Sequence, residues 1–476
     1  MGGTPRRLRV PVVPSIRSTL LVLALLVAAP VLAGCVGGPG PTPPPDVGTP
    51  APRVFVDPIV DDHDHADFEA HNLSMDTMAL VGWTPLGEEG KPYSYIGELD
   101  FHGDLVVVQI LGRGSVPGFV LVDVADPTKP TVVGRAMMPD AYVVDVKFSP
   151  DGKYVFAASQ RTAAPSEIGE KALATAGVAV WDVTDPKAPK FVSATPVPPL
   201  GCHMLSVKDY AGGRWVFCVG EAIEIYSWEA NRLVPRSRYI PHGTAGVLGF
   251  VNGPDRTPFP HDMTFVIDPL DKRPTLYVSY WDLGLHVVDV SNPLAPLQLG
   301  GWGGEGAKRY EGNVHSAMPI VLNGTRFIVA APELLGNTVP AVWILEAKDF
   351  RAIELSAEWI PPGEHGAQNL RLTTHQFQLV DGRMYMAYNH AGVWVLDLAT
   401  ILGGEYVGDP ARPEVLGYYL PHQHVELFDA KRAAVPNTWD VAVRNGYIYA
   451  SDRYTGFYVL HYKPDTLGDP ALTSFA

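Results

Sequence analysis

Phe259–Trp302 reads FPHDMTFVIDPLDKRPTLYVSYWDLGLHVVDVSNPLAPLQLGGW. Its pattern is four short strands in succession: Met263–Ile267, Thr275–Tyr280, Leu285–Val290 and Ala295–Trp302. Asp268–Pro274 is a polar turn, Gly284 opens the third strand, and Ser291-Asn292-Pro293 breaks it. Runs of about 5–6 β-branched and aromatic residues bounded by Gly, Pro, Asn and Asp are the signature of consecutive hairpins. A single sheet of this kind cannot bury both of its faces, so it needs copies of itself.

The chain supplies them. The third strand and its turn recur as FVLVDVADPTKP (119–130), VAVWDVTDPKAP (178–189) and LHVVDVSNPLAP (285–296). VWVLDL (393–398) is a fourth copy, with a lengthened turn before Arg412-Pro413. Weaker copies are AVWIL (341–345), IEIY (223–226) and GFYVL (456–460), which makes seven. The strand ending in Asp, followed by a D-x-[SDN]-P-x-x-P turn, resembles the LVIVD-repeat family over most of residues 90–465. That resemblance implies a β-propeller displayed at a surface and says little about chemistry.

A second marker opens the first strand of each unit. It is a polar residue, often His: Asp145, His203, His261, His315, His375 and Asp440, spaced 58, 58, 54, 60 and 65 residues apart. A propeller blade needs about 40–50 residues, so these are blades with extended loops. The first blade begins near Tyr95, and the seventh has three strands before the chain ends. Met75–Trp83 (MDTMALVGW) resembles the fourth strands of other blades. The expected fold is therefore all-β, a seven-bladed propeller of four-stranded antiparallel blades. One domain spans 75–465, is closed by the N-terminal strand, and is followed by a tail at 466–476. Pairing the last open edge in this way ties the ring shut.

The N-terminus reads as an export signal. Arg6, Arg7, Arg9 and Arg17 precede the apolar run Leu20–Leu32, which is short for a membrane span. Leu32-Ala33-Gly34-Cys35 resembles a bacterial lipobox, which implies a signal peptide at 1–34 and lipidation of Cys35. The alternative is an uncleaved anchor. Residues 35–60 form a Pro/Gly-rich tether. Residues 61–74 form an acidic, His-rich lead-in carrying His63, His65 and His71, read either as a solvated linker or as a cation site. The whole chain carries a net charge of −15; without the four signal arginines, 32 basic residues face 51 acidic ones, a balance of −19. Nucleic acid and anionic membrane surfaces demand clustered cations, so this balance disfavours both as partners of the body and no nucleic acid is expected. The body is read as a monomer held at the membrane by its lipid.

The first strand of a propeller blade lines the central channel, so the blade-start residues converge at one channel mouth. Expected metal donors are His203, His261, His315 and His375, with Asp145, Asp262, Asp282, Glu333, His390 and Asp440 as accessory groups. Asp282, Glu333 and His390 lie on the loops between second and third strands, with Trp281, Asn389, Asp452 and Arg453. Imidazoles ringed by carboxylates suit one transition ion such as copper, zinc or iron. Strand-start histidines bonded to neighbouring blades are the competing explanation. Cys202 and Cys218 flank one hairpin and read as a disulfide or as two buried thiols.

No phosphate loop, H-E-x-x-H, G-x-S-x-G or paired C-x-x-C occurs. The principal functional reading is a lipid-anchored extracytoplasmic binding module that presents its channel-mouth face to a protein, glycan or small molecule. The alternative is a metal-dependent oxidoreductase. Blade four is remotely similar to the selenium-binding protein/methanethiol oxidase propellers, and that similarity implies copper.

Overall fold

In the computed structural model, the described residues are 74–87, 93, 95–111, 116–139, 141–160, 176–199, 201–240, 259–281, 283–303, 313–333, 340–361, 372–404, 412–422 and 436–464. The segments read above as signal and tether, with Cys35, His63, His65, His71, Asp282 and residues 466–476, lie outside them.

Among the described residues the strands form seven four-stranded antiparallel sheets, a seven-bladed β-propeller. Six blades use four consecutive strands, and the seventh uses three strands plus the N-terminal one. Met78–Thr84 pairs antiparallel with Gly456–Tyr462, from Met78↔Tyr462 to Thr84↔Phe457, and closes the ring as the sequence predicts. The core lies between blades. Val329, Ile344, Trp359, Met386 and Trp394, for example, form one buried cluster across blades five and six.

Blade four differs in detail from its sequence reading. Its first strand starts at Phe259 rather than Met263, and its fourth at Leu297 rather than Ala295. The earlier start follows from a β-bulge between Pro260 and Asp262, which lets the strand continue through a residue that breaks the ladder.

The turn that defines the repeat has a physical purpose. Asp123, Asp182 and Asp289 each accept a backbone N–H two residues on, from Ala125, Thr184 and Ser291. Asp126, Asp185, Asn292 and Asp349 do the same for Thr128, Lys187, Leu294 and Arg351. Two successive Asx turns thus shape a rigid knuckle. The knuckle seats on the outermost strand of the preceding blade, where a glycine leaves room. A Cβ on Gly134 would lie 1.8 Å from the Pro186 carbonyl oxygen, and one on Gly300 would lie 1.7 Å from that of Phe350. A Cβ on Gly82, in the N-terminal strand, would lie 2.2 Å from the Pro127 oxygen. The repeat signature is therefore an inter-blade clamp, and the ring closure uses the same clamp as the interior joints.

Candidate metal centre at the channel mouth

The bulge in blade four recurs at the same depth in other innermost strands. Register breaks fall between Val143 and Asp145, between Thr438 and Asp440, and between Ile96 and Leu99. The breaks leave Val144 and Trp439 out of their ladders, and both Gly97 and Glu98 out of the ladder of blade one, and so redirect side chains. In blade four the residue left out is His261, which matches Val144 in blade two and Trp439 in blade seven. His203, His315 and His375 occupy the matching places, just before their strands, and each donates its backbone N–H to the second strand or the residue after it (Val219, Ala331 and Ala387). Asp145 and Asp440 therefore sit one position deeper than the histidines, with Asp262 and not with His261. The sequence marker takes the first polar residue of each strand, which in blades two and seven comes one position after the apolar ring residues Val144 and Trp439.

The four histidines form a contiguous arc over blades three to six. Ring centroids are 4.3 Å apart for His203–His261, 4.3 Å for His261–His315 and 4.6 Å for His315–His375. The Nε2 atoms of His203 and His261 lie 3.0 Å apart. Nδ1 of His203 bonds Gln160 Oε1 at 2.7 Å, and Nδ1 of His375 bonds the Trp439 carbonyl at 2.9 Å. Trp281 stacks on His261 with centroids 4.2 Å apart, and Trp439 packs on His375 at 3.5 Å. Arg453 lies over the Trp439 ring, 3.0 Å from its centroid.

Glu333, on the loop after the second strand of blade five, brings Oε2 to 3.6 Å from His315 Nε2. Donor atoms of His261, His315 and Glu333 all lie within 4.8 Å of one another, and all three residues are buried. His315 is fully buried, and neither ring nitrogen has a hydrogen-bond partner among the described residues.

Burial holds the His203 and His261 imidazoles neutral. It pushes His203 down to about 3, helped by the neighbouring His315. It drives His261 well below the ordinary range, with His315, His203 and His375 adding to the effect. A neutral imidazole keeps a lone pair for a metal ion.

The next layer down is acidic. Asp145, fully buried, accepts from Leu205 N of blade three at 2.7 Å, from Val146 N at 2.8 Å and from Lys147 Nζ at 2.6 Å. Asp440 accepts from Leu99 N of blade one at 2.9 Å and from Val441 N at 2.7 Å. These two carboxylates staple adjacent blades. Asp262 accepts from Met263 N at 2.6 Å and, across the channel, from Gln376 Nε2 at 2.8 Å.

Glu98 was not singled out in the sequence; its Oε1 reaches to 3.6 Å from His375 Nδ1. Burial raises its carboxyl well above the usual range, and the Asp440 charge adds to this. Burial also lifts Asp145, and lifts Asp440 to about 6. Burial would depress Lys147, but the carboxylates of Asp145 and Glu98 outweigh it and raise the ammonium. Below this layer a cavity of about 730 Å³ runs along the axis, walled by Met204, Met263, Phe377 and Val441 among others.

The structure thus brings together His203, His261, His315, His375 and Glu333. Asp145, Asp262 and Asp440 lie beneath them as bonded supports. His390 is half-buried in the turn beside Asn389 and is not among the converging donors. The Sγ atoms of Cys202 and Cys218 are bonded, with Cα atoms 5.6 Å apart, immediately before His203. Sequence reasoning missed Glu98, Gln160, Lys147 and Trp439. The one available signal was Gly97-Glu98, a glycine and an acid near the start of the first strand of blade one.

The LVIVD repeat family model matches residues 92–138 and 276–300. The first segment covers blade one, and the second runs from the second to the fourth strand of blade four. No curated protein matches the chain significantly.

Proposed function

We propose that this LVIVD-repeat propeller is an exported binding protein whose channel-mouth ligand is a single transition-metal ion. His261, His315 and Glu333 form the centre of the site, and His203 and His375 complete it. One observation carries the reading. His315 is wholly buried between two other imidazoles, and neither ring nitrogen has a hydrogen bond among the described residues, the nearest charged group being Glu333 Oε2 at 3.6 Å. Buried polar groups in folded proteins are nearly always hydrogen-bonded, and an unpaired one costs free energy that a ligand can recover. Strand-start histidines that served only to cap their neighbours would have partners.

The geometry agrees with nitrogen ligation. Nitrogens 3.0 Å apart, as in His203 and His261, subtend roughly 90–100° at an ion placed about 2.0–2.1 Å from each. That angle suits copper or zinc, and imidazole donors suit iron as well. The export signal, the Cys35 lipid and the 35–60 tether belong to the same proposal. They would hold the propeller outside the membrane, where it meets metal ions or a metal-bearing partner. The resemblance to methanethiol oxidase propellers extends the proposal to redox chemistry at the bound ion.

The test is elemental analysis and calorimetric titration with Cu²⁺ and Zn²⁺ on protein purified without a His tag. About one ion per chain is expected, lost in the His261→Ala/His315→Ala double variant. Wild-type protein that stays metal-free after reconstitution sinks the proposal.

A further inference from the structure

Two residues of the ring position that are not histidine sit at the ends of the histidine arc. Blade two contributes Val144 there and blade seven contributes Trp439. Neither side chain can ligate a metal ion. Yet each of these blades sends an oxygen acceptor to the outer nitrogen of the nearest histidine. Blade two supplies Gln160 Oε1, 2.7 Å from His203 Nδ1. Blade seven supplies the Trp439 carbonyl, 2.9 Å from His375 Nδ1. A carbonyl oxygen only accepts, so both Nδ1 atoms must carry the hydrogen, and both Nε2 atoms are left with the lone pair.

We propose that Gln160 is a positioning residue, which holds His203 in the Nδ1–H tautomer and so makes its Nε2 a metal donor. The inference rests on the metal reading above and specifies how the ligand set is prepared. Gln160 is well placed for it. It follows directly on the strand Tyr154–Ser159, its N–H bonds the Tyr142 carbonyl at 3.1 Å, and it bridges Gly201. Cys202 N bonds Ser159 O at 2.9 Å, so the segments carrying Gln160 and His203 are tied together at their backbones.

The need for a holder is chemical. A neutral histidine in water prefers the hydrogen on Nε2, the nitrogen that faces His261 here. With Gln160 bonded to Nδ1, that preference is reversed. In the metal-free protein the 3.0 Å contact between the two Nε2 atoms is then a hydrogen bond donated by His261 to His203. Partners beyond the metal ligands commonly set ring orientation and basicity, and their loss costs about 10–100-fold in metal affinity.

The experiment compares wild type, Gln160→Leu and Gln160→Glu in the full chain. Nitrogen-15 NMR of histidine-labelled, metal-free protein at neutral pH reads the tautomer directly. Competition titration with Zn²⁺ and Cu²⁺ reads affinity. Wild type should show His203 protonated at Nδ1. Gln160→Leu should move the proton toward Nε2 and weaken binding about 10–100-fold. Gln160→Glu keeps an acceptor in place and should retain both the tautomer and the affinity, whereas a purely steric role for Gln160 would let the bulky Gln160→Leu retain them too. An unchanged His203 tautomer or unchanged affinity in Gln160→Leu overturns the inference. If Gln160→Leu moves the tautomer but wild type takes up neither ion, the metal reading falls and with it the donor role given to His203.

Discussion

Replacing His315 by Leu separates what the buried histidine costs from what it is for. His315 is fully buried, and both of its ring nitrogens lack hydrogen-bond partners among the described residues. Each ring nitrogen buried without a hydrogen bond costs about 1–3 kcal/mol. Leucine removes both and fills a similar volume. It gives up ring contacts to His261 at 4.3 Å and His375 at 4.6 Å, worth about 0.5–1.5 kcal/mol each. The balance leaves the metal-free variant more stable than wild type by about 1–3 kcal/mol. Globular proteins unfold with roughly 2.1 cal/mol/K per residue near 60 °C. For the about 390 residues between Ser74 and Pro464 that is about 0.8 kcal/mol/K, so the midpoint should rise by about 1–4 °C. Metal at a hundredfold excess over Kd should stabilise wild type by about 2.7 kcal/mol, or about 3 °C on the same scale, and should leave the variant unmoved. The assay is scanning calorimetry of both proteins, with chelator and with Zn²⁺. A variant that melts lower without metal, yet keeps the metal-induced rise, would refute the reasoning.

Three further outcomes follow from the same geometry. Gly300→Ala drives a Cβ to 1.7 Å from the Phe350 carbonyl oxygen and must part blades four and five. It should cost about 1–3 kcal/mol by urea denaturation, and an unchanged midpoint would contradict the clamp. Lys147→Met leaves Asp145 without the ammonium 2.6 Å away and should cost about 3–5 kcal/mol. Adding Asp145→Asn should recover much of that loss, and additive losses in the double variant would argue against a coupled pair. The third outcome concerns pH. His203, at about 3, and His261, well below the ordinary range, take up no proton in the fold between pH 7.5 and 5.5, whereas an unfolded imidazole titrates near 6.5. The stability they contribute is therefore present above about 6.5 and is lost as the pH falls. Protons do not compete with metal at these two donors over that range. Affinity measured by chelator competition should therefore weaken less from pH 7.5 to 5.5 than at a site built wholly of ordinary histidines, and an equal loss would contradict the reasoning.

The blades were legible because their signals are local. The alternation of Val, Tyr and Phe in Thr275–Tyr280, and the Asp and Pro spacing of 285–296, each sit within a dozen residues. Even the closure by Met78–Thr84 followed from likeness to other fourth strands. The histidine ring was half legible. Its members could be named because each opens a blade, but the register across blades could not, since the marker takes the first polar residue of each strand. Val144 and Trp439, which share the histidines' position, look like ordinary strand residues. Gln160 lay wholly beyond reach. It belongs to another blade than the ring it touches, 43 residues from His203, and only the closed propeller sets it there.

The two inner layers of the channel differ in a way that bears on purpose. They lie one residue apart on the same strands, in the same enclosed surroundings, so burial alone cannot distinguish them. In the lower layer every carboxylate singled out is put to structural use. Asp145 and Asp440 each take a backbone N–H from the neighbouring blade, Asp262 meets Gln376, and Lys147 compensates the charge. The fold's own demand for inter-blade staples is met there. The upper layer adds four imidazoles that the staples do not need, and at its centre His315 has no hydrogen-bond partner among the described residues. A propeller under pressure only to close its ring would gain stability by filling these places with apolar residues, as blade two does with Val144. A cost kept at one position, beside a layer where the same cost is avoided, is best accounted for by a ligand that the imidazoles are arranged to meet.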